Sequence, residues 1–268
     1  NLIVYDDILD KRLNFLKKND IFIIDTPFGL DNKLNNFLKK NDYKNILLID
    51  DLNKPKNKNA IIFNGIKHLK KKLPKSCARK IYQGFKYILL DEIYSKKKNV
   101  KVKNEVIIGS GGTDSKHNLI KILNTVKKFE QFKFLVIIGD GVKRDNPINK
   151  IKFKNVKLLK NVTNLYKYYI RAKACIISGG IMMFEALALN KKILVYQMYD
   201  HQKKSVNFLL KKKLVTKIGE NKRLFTNKLL FELSNLNNSR IDYRNKIIDG
   251  KAILRIKKII KMEFLRNV

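Results

Sequence analysis

Glu105-Val106-Ile107-Ile108-Gly109-Ser110-Gly111-Gly112-Thr113-Asp114 is the stretch on which the reading of this chain turns. Residues 105–108 form a short β-branched run of the kind that makes a buried strand, and a glycine-rich turn follows at once. Beyond the turn, residues 115–128 carry apolar side chains at helical spacing. Strand, turn and helix make one βα unit, the repeat from which a parallel sheet is assembled. The same rhythm runs downstream. Phe134-Leu135-Val136-Ile137-Ile138 reads as a strand ending at Gly139-Asp140-Gly141, and strands are expected at 156–159, 174–177 and 192–196. Helices fit 164–171, 181–189 and 201–211.

Upstream the units are shorter. Ile21-Phe22-Ile23-Ile24 reads as a strand ending at Asp25-Thr26-Pro27, and a helix is expected over 31–40. Asn45-Ile46-Leu47-Leu48-Ile49 is the next strand, ending at Asp50-Asp51, and Ala60-Ile61-Ile62-Phe63-Asn64 another. Residues 94–104 are rich in Lys without apolar periodicity and read as an interdomain linker. Residues 241–265 look helical and amphipathic. The expectation is an α/β protein of two doubly wound, Rossmann-like domains. They comprise an incomplete N-terminal domain (1–93), a linker (94–104), a C-terminal domain (105–240) and a helical tail (241–268). Ligands of such folds sit at the carboxyl ends of the strands.

Composition narrows the classes. The 268 residues are 44% hydrophobic and 10% aromatic, enough for a core and contrary to intrinsic disorder. Two cysteines, Cys77 and Cys175, make no disulfide framework, so a cytoplasmic location is expected. No apolar run approaches the roughly 20 residues of a membrane span. The 59 Lys+Arg against 23 Asp+Glu leave a formal net charge of +36, which invites a nucleic-acid partner. Only nine of the 59 are Arg, and the basic residues are spread along the whole length. Asn and Ile are abundant too, a compositional drift that puts Lys on solvated faces. The reading is therefore against nucleic acid.

Two loops carry chemistry. Gly109-Ser110-Gly111-Gly112-Thr113-Asp114 and Ser178-Gly179-Gly180 each follow a strand and open a helix. Glycine lets backbone amides approach a phosphate, and a helix N-terminus favours negative charge. Either loop is equally well a tight turn with no ligand. Neither matches the dinucleotide fingerprint or the P-loop pattern. Glu185, one turn into the helix after the second loop, could accept hydrogen bonds from the ribose of a nucleotide whose phosphates meet that loop. It could as well be a carboxylate complementing the helix dipole. Asp200-His201-Gln202 opens the next helix, where Asp200 also suits an N-cap. His68 and His117 have no partner pattern. No cluster has metal-ligand spacing, and no Ser-His-Asp arrangement emerges.

These residues, in order, resemble a known family. Gly84-Phe85-Lys86-Tyr87-Ile88-Leu89-Leu90, Gly111-Gly112-Thr113-Asp114 and Ser178-Gly179-Gly180 with Glu185-Ala186-Leu187 look like the UDP-sugar hydrolases of pseudaminic acid biosynthesis. Asp50-Asp51-Leu52 matches that family's Asp-Asp segment. Asp249-Gly250 with Arg255-Ile256 is similar to the Asp-Gly-x-Gly-x-x-Arg-Ile stretch of related spore-coat polysaccharide proteins. The resemblance implies the two-domain GT-B glycosyltransferase fold, similar to MurG, with a UDP-sugar held by the C-terminal domain. It implies that Gly179 and Gly180 face the diphosphate, with Ser178 among the substrate-binding residues, and that Glu185 holds the ribose. Gly111, Gly112 and Thr113 would line the cleft between domains. Asp200, His201 and Gln202 match the segment that reads the sugar, with Gln202 the stronger candidate. No metal or cofactor is implied. The implied reaction is hydrolysis at the anomeric carbon, with inversion, releasing UDP and a free 2,4-diacetamido sugar for surface-sugar synthesis.

One departure matters. The family's catalytic His lies in a Gly-x-Gly-His-x-x-Arg loop after the first strand, and this sequence has no such loop. By that comparison about 60 residues, two βαβ units' worth, would precede Asn1. None of His68, His117 or His201 matches the position, so no base is assigned, with Asp25 and Asp50 weak candidates at strand ends. Alternatives to the hydrolase are a GT-B transferase, a non-catalytic nucleotide-sugar binder and a polyanion-binding module.

Overall fold

The computed structural model describes residues 17, 19–25, 32–49, 57–65, 78–96, 98–218, 222–236 and 247–265. Two compact units emerge. The first extends to Leu89 and takes back the chain from Ala252; the second is Leu90–Lys251. The boundary at 89/90 precedes the 94–104 stretch set apart as a linker. Tyr94, the first residue of that stretch, is a packed side chain of the second unit, 5% exposed. Likewise the 241–268 tail contributes its helix, Ala252–Phe264, to the first unit.

The first unit holds a four-stranded parallel sheet in the order β1 (Ile21–Ile24), β2 (Asn45–Ile49), β3 (Asn57–Asn64), β4 (Ala78–Gln83). Successive side chains of a strand point to opposite faces. Ile46 and Leu48 therefore join Phe22, Ile24 and Ile62 on one face, where Leu38 of α1 (Asn32–Lys40) packs. Leu47, Ile49, Ile61 and Phe63 form the other face, covered by Tyr87 and by Ile256 of the C-terminal helix. Both faces are apolar because both are covered, as parallel sheets require. Glu263 of that helix pairs with Arg79, at 3.3 Å, and with Lys80 on the edge strand β4. The Arg255 Nη1 donates to the Lys86 carbonyl at 3.0 Å, which ties the Arg-Ile stretch to the turn of Gly84-Phe85-Lys86-Tyr87. Gly84 has φ +114°, a conformation for glycine.

The second unit is a six-stranded parallel sheet. In chain order its strands are β5 (Glu105–Gly109), β6 (Lys133–Ile138), β7 (Val156–Lys160), β8 (Ala174–Ser178), β9 (Lys192–Tyr196) and β10 (Thr216–Lys217). In space they run β10-β9-β8-β5-β6-β7. The helices are α2 (Asn118–Val126), α3 (Tyr166–Tyr169), α4 (Ile181–Ala188), α5 (Lys203–Lys211) and α6 (Lys222–Ser234), with α7 naming Ala252–Phe264 of the first unit. Leu119, Ile122, Leu123 and Val126 of α2 and Leu229 and Leu233 of α6 cover one face. Helix α4 packs against β8 and β9. Several elements differ from the sequence expectation in extent: β3 begins three residues early, α2 begins three residues late, α3 is a single turn, α5 is preceded by a 3₁₀ turn at Asp200–Gln202, and the helix expected from 241 starts at Ala252, with 247–251 non-helical. Strands β4 and β10 and helix α6 were not anticipated. Among the described residues no helix is long and apolar enough to cross a membrane.

Candidate functional site

Strand order locates the site. From β5 the chain moves outward through β6 and β7, then returns to β8 on the opposite side of β5 and moves outward through β9 and β10. The winding reverses between β5 and β8, and at such a switch point the loops diverge and leave a crevice at the carboxyl end. The two glycine-rich loops are the ones that follow β5 and β8. Ser178 Oγ donates to the Ser110 carbonyl at 2.9 Å, both residues buried, and fastens one loop to the other. Tyr196 at the end of β9 donates to the Gly109 carbonyl at 2.9 Å.

The loops are built differently. In the first, Asp114 is 2% exposed and its carboxylate accepts the amides of Asn118 at 2.8 Å and Leu119 at 3.3 Å. The N-terminus of α2 is thus capped by its own chain. Burial raises the Asp114 pKa, and the amides it accepts from oppose that rise. Gly111 takes φ +89°. The Gly139-Asp140-Gly141 turn after β6 braces this path: the Gly141 amide donates to the Gly112 carbonyl at 2.9 Å. A Cβ on Gly139 would lie 2.2 Å from the Gly111 carbonyl oxygen, so both glycines of that turn shape the first loop.

In the second loop Gly180 is the N-cap of α4 in extended conformation, and no side chain caps the helix. A Cβ on Gly179 would lie 2.6 Å from Val206 Cγ2 and 3.2 Å from Gln202 Cβ, so Gly179 is needed for the approach of α5. A Cβ on Gly180 would meet nothing nearer than 3.8 Å. Uncapped amides and clear space in front of them are what an anion needs from a helix N-terminus.

The other expected residues gather around the same end. Gln202 is buried, and its Oε1 accepts the amides of Met198 at 3.0 Å and Tyr199 at 3.4 Å, while its Nε2 faces Gly180. The geometry gives Gln202 a role in fixing the loop after β9. His201 is exposed, its ring stacked on Tyr199 at 5.5 Å. The Tyr199 hydroxyl shares hydrogen bonds with Thr113 Oγ1 at 2.9 Å and Ser115 Oγ at 3.3 Å, joining the loop after β9 to the first glycine loop. Thr113 and His201 are thus brought together through a tyrosine the sequence did not single out. His117 sits in a left-handed turn ahead of α2. Asp25 follows β1 in the first unit; Asp50, Asp51 and His68 lie outside the described residues. Asp200 is exposed.

Glu185 lies one turn into α4. Burial pushes its pKa up to about 7, against the hydroxyls of Tyr94 and Tyr169, which favour the charged form, and with Asp91 adding repulsion. Its Oε2 is buried and makes no hydrogen bond. Glu185 is half-buried as a whole. Among the described residues no three His, Cys, Asp or Glu side chains form a metal-binding group.

Two parallel-sheet Rossmann-like units, with loops of this kind at a switch point, define the GT-B class of fold, and solved structures agree. The chain superimposes on the pneumococcal O-GlcNAc transferase GtfA in complex with UDP and GlcNAc (TM-score 0.57, 11% identity), covering 96% of this chain and 59% of that one. It also matches the UDP-GlcNAc 2-epimerase of Methanocaldococcus jannaschii in complex with UDP-GlcNAc and UDP (TM-score 0.56, 13% identity, 86% and 79% covered). In sequence it is 21% identical to the spore coat polysaccharide biosynthesis protein SpsG of Bacillus subtilis, covering 91% of this chain and 77% of that one. It is 26% identical to the uncharacterized protein MJ1062 of M. jannaschii, covering 77% of this chain and 46% of that one. The chain therefore spans about half the length of that relative. No family model matches.

Proposed function

We propose that this protein is a GT-B enzyme that takes a UDP-sugar, and that it hydrolyses the bond between the diphosphate and the anomeric carbon of a diacetamido-trideoxy sugar. The observation that carries the nucleotide site is the uncapped N-terminus of α4 at the switch point, with a half-buried carboxyl one turn behind it. The diphosphate lies on the amides that follow Gly180, where the helix dipole and unsatisfied donors stabilise negative charge. Glu185 accepts the ribose hydroxyls. Gly111, Gly112, Thr113, His201 and Gln202 surround the sugar. SpsG, named for coat polysaccharide synthesis, and two UDP-sugar enzymes of the same fold support this substrate class.

In the reaction, water attacks the anomeric carbon opposite the leaving group. The carbon–oxygen bond breaks, UDP departs with the electron pair, and the proton of water is lost to solvent or a base. Donors that already hold the diphosphate take up the charge developing on the leaving oxygen at no cost in reorganisation. The fold serves transferases and epimerases equally well, so the test is product analysis. Incubation of the full-length protein with a UDP-diacetamido-hexose should release UDP and free sugar. A glycoside, an epimer or an unchanged donor would each contradict the hydrolase.

A further inference from the structure

The loop after β9 touches both glycine-rich loops at once. Its Gln202 packs on the second: a Cβ on Gly179 would lie 3.2 Å from Gln202 Cβ, and one on Gly180 would lie 3.8 Å from Gln202 Nε2. The same residue fixes Tyr199. Gln202 Oε1 accepts the Tyr199 amide at 3.4 Å, and the Gln202 amide donates to the Tyr199 carbonyl at 3.1 Å. Tyr199 then reaches the first loop through its hydroxyl, 2.9 Å from Thr113 Oγ1 and 3.3 Å from Ser115 Oγ. A phenolic hydroxyl has one proton, so it can donate to one of these oxygens and accept from the other.

Thr113 is gripped from a second side as well. Its Cγ2 lies 2.9 Å from where a Cβ on Gly141 would stand, so the methyl meets the turn after β6 while the hydroxyl meets Tyr199. Asp114, next in the chain, is buried on the amides of α2. Gly112, just before, is exposed, and a Cβ there would meet nothing within 4 Å. Among the described residues the amides of Gly112 and Thr113 donate to no acceptor. The first loop thus keeps two free donors beside open space, on a backbone whose neighbours are held in place.

Core packing does not explain Tyr199. It is 36% exposed, and Thr113, Ser115 and the His201 ring stacked on it are exposed too. Hydrogen bonds between exposed hydroxyls compete with water and add little to stability. What they do is hold two loops in one arrangement, which spares a ligand the cost of ordering them. We propose that Tyr199 is a positioning residue for the sugar: its hydroxyl couples the loop beside the sugar to the segment that packs on the diphosphate loop, and so sets where Gly112 and Thr113 stand relative to Gly180. The inference rests on the reading that the diphosphate meets Gly180 and the sugar lies against the first loop. Its consequence is separable: Tyr199 acts on the sugar half of the substrate and not on the nucleotide half.

The experiment is calorimetric titration of two ligands into the full chain and its Tyr199→Phe, Thr113→Val and doubly substituted forms. One ligand is UDP; the other is the C-glycosyl phosphonate analogue of a UDP-diacetamido-hexose, which cannot be hydrolysed at the anomeric carbon. Tyr199→Phe keeps the ring, its stack on His201 and the backbone contacts to Gln202, and removes the hydroxyl alone. It should bind the analogue about fivefold more weakly, the effect of a lost hydrogen bond. Its UDP affinity should stay within about twofold of the wild type, as expected of a distant, uncoupled site. In the Thr113→Val background the same substitution should weaken the analogue by less than about twofold, because the two hydroxyls act as one unit. Equal weakening of UDP and analogue, no weakening of either, or additive losses in the double variant would overturn the role of Tyr199. A wild type that binds UDP but not the analogue would overturn the placement of the sugar, and one that binds neither would overturn the UDP-sugar reading, each taking the inference with it.

Discussion

The two glycine-rich loops of the second unit look alike in sequence and are opposite in state. Both follow a strand, both open a helix, and they sit on neighbouring strands fastened by Ser178 to Ser110. Yet the helix after the first loop is closed by the buried carboxylate of Asp114, while the helix after the second has no side-chain cap at all. Asp114 occupies the amides of Asn118 and Leu119 with the chain's own anion, so those donors are not open to a substrate. Glycine at a strand end thus marks where backbone can approach closely; the fate of the first helical amides decides what it approaches. In the first loop a Cβ on Gly109 would meet Met182 and Gly111 takes φ +89°, while Gly112 faces open space; in the second Gly179 is needed for the approach of α5 and Gly180 faces open space.

The sharpest way to break the first loop is from outside it. Gly139→Ala places a methyl 2.2 Å from the Gly111 carbonyl oxygen and 2.6 Å from that of Gly112, backbone atoms that cannot rotate away. We expect a loss of about 3 kcal/mol in denaturant unfolding, the upper end of overpacking costs. Next in size is Glu185→Gln. Because the folded protein keeps the Glu185 proton up to about pH 7 while the unfolded chain releases it near pH 4.5, stability contributed by the neutral acid is lost as pH rises between those values. The variant should therefore be more stable than the wild type at pH 8, by on the order of 2 kcal/mol, and equal to it near pH 4.5. Thermal melts at the two pH values check this.

Asp114→Ala uncaps α2 and should cost about 1–2 kcal/mol. It also sharpens the comparison. If the diphosphate sat on α2, removing a carboxylate from its N-terminus would tighten UDP binding; the structure predicts no gain, read by calorimetry beside the melt.

The βα rhythm made both sheets legible, because buried parallel strands are continuous apolar runs such as 46–49 and 134–138. β4 was hidden because Arg79 and Lys80 face solvent on an edge strand and leave no apolar run. β10 spans only two residues, and α6 has little amphipathic contrast. Of the site, the loops and Glu185 could be read from position. Tyr94 was lost in a Lys-rich stretch that resembles a linker, and Tyr199 and Gly139 act on loops 86 and 28 residues away from their own positions in the chain. Contacts of that kind leave no local pattern, since each depends on which strands become neighbours.

The central claim is that the second loop, and not the first, receives the nucleotide. Gly180→Ala tests it most directly, because the substitution fits the backbone and meets no atom closer than 3.8 Å. Its stability should stay within about 0.5 kcal/mol of the wild type. UDP affinity, measured by calorimetry at physiological salt, should fall at least tenfold, as the new methyl stands where the diphosphate meets the helix. Unchanged UDP affinity in a fully folded Gly180→Ala protein would contradict the account.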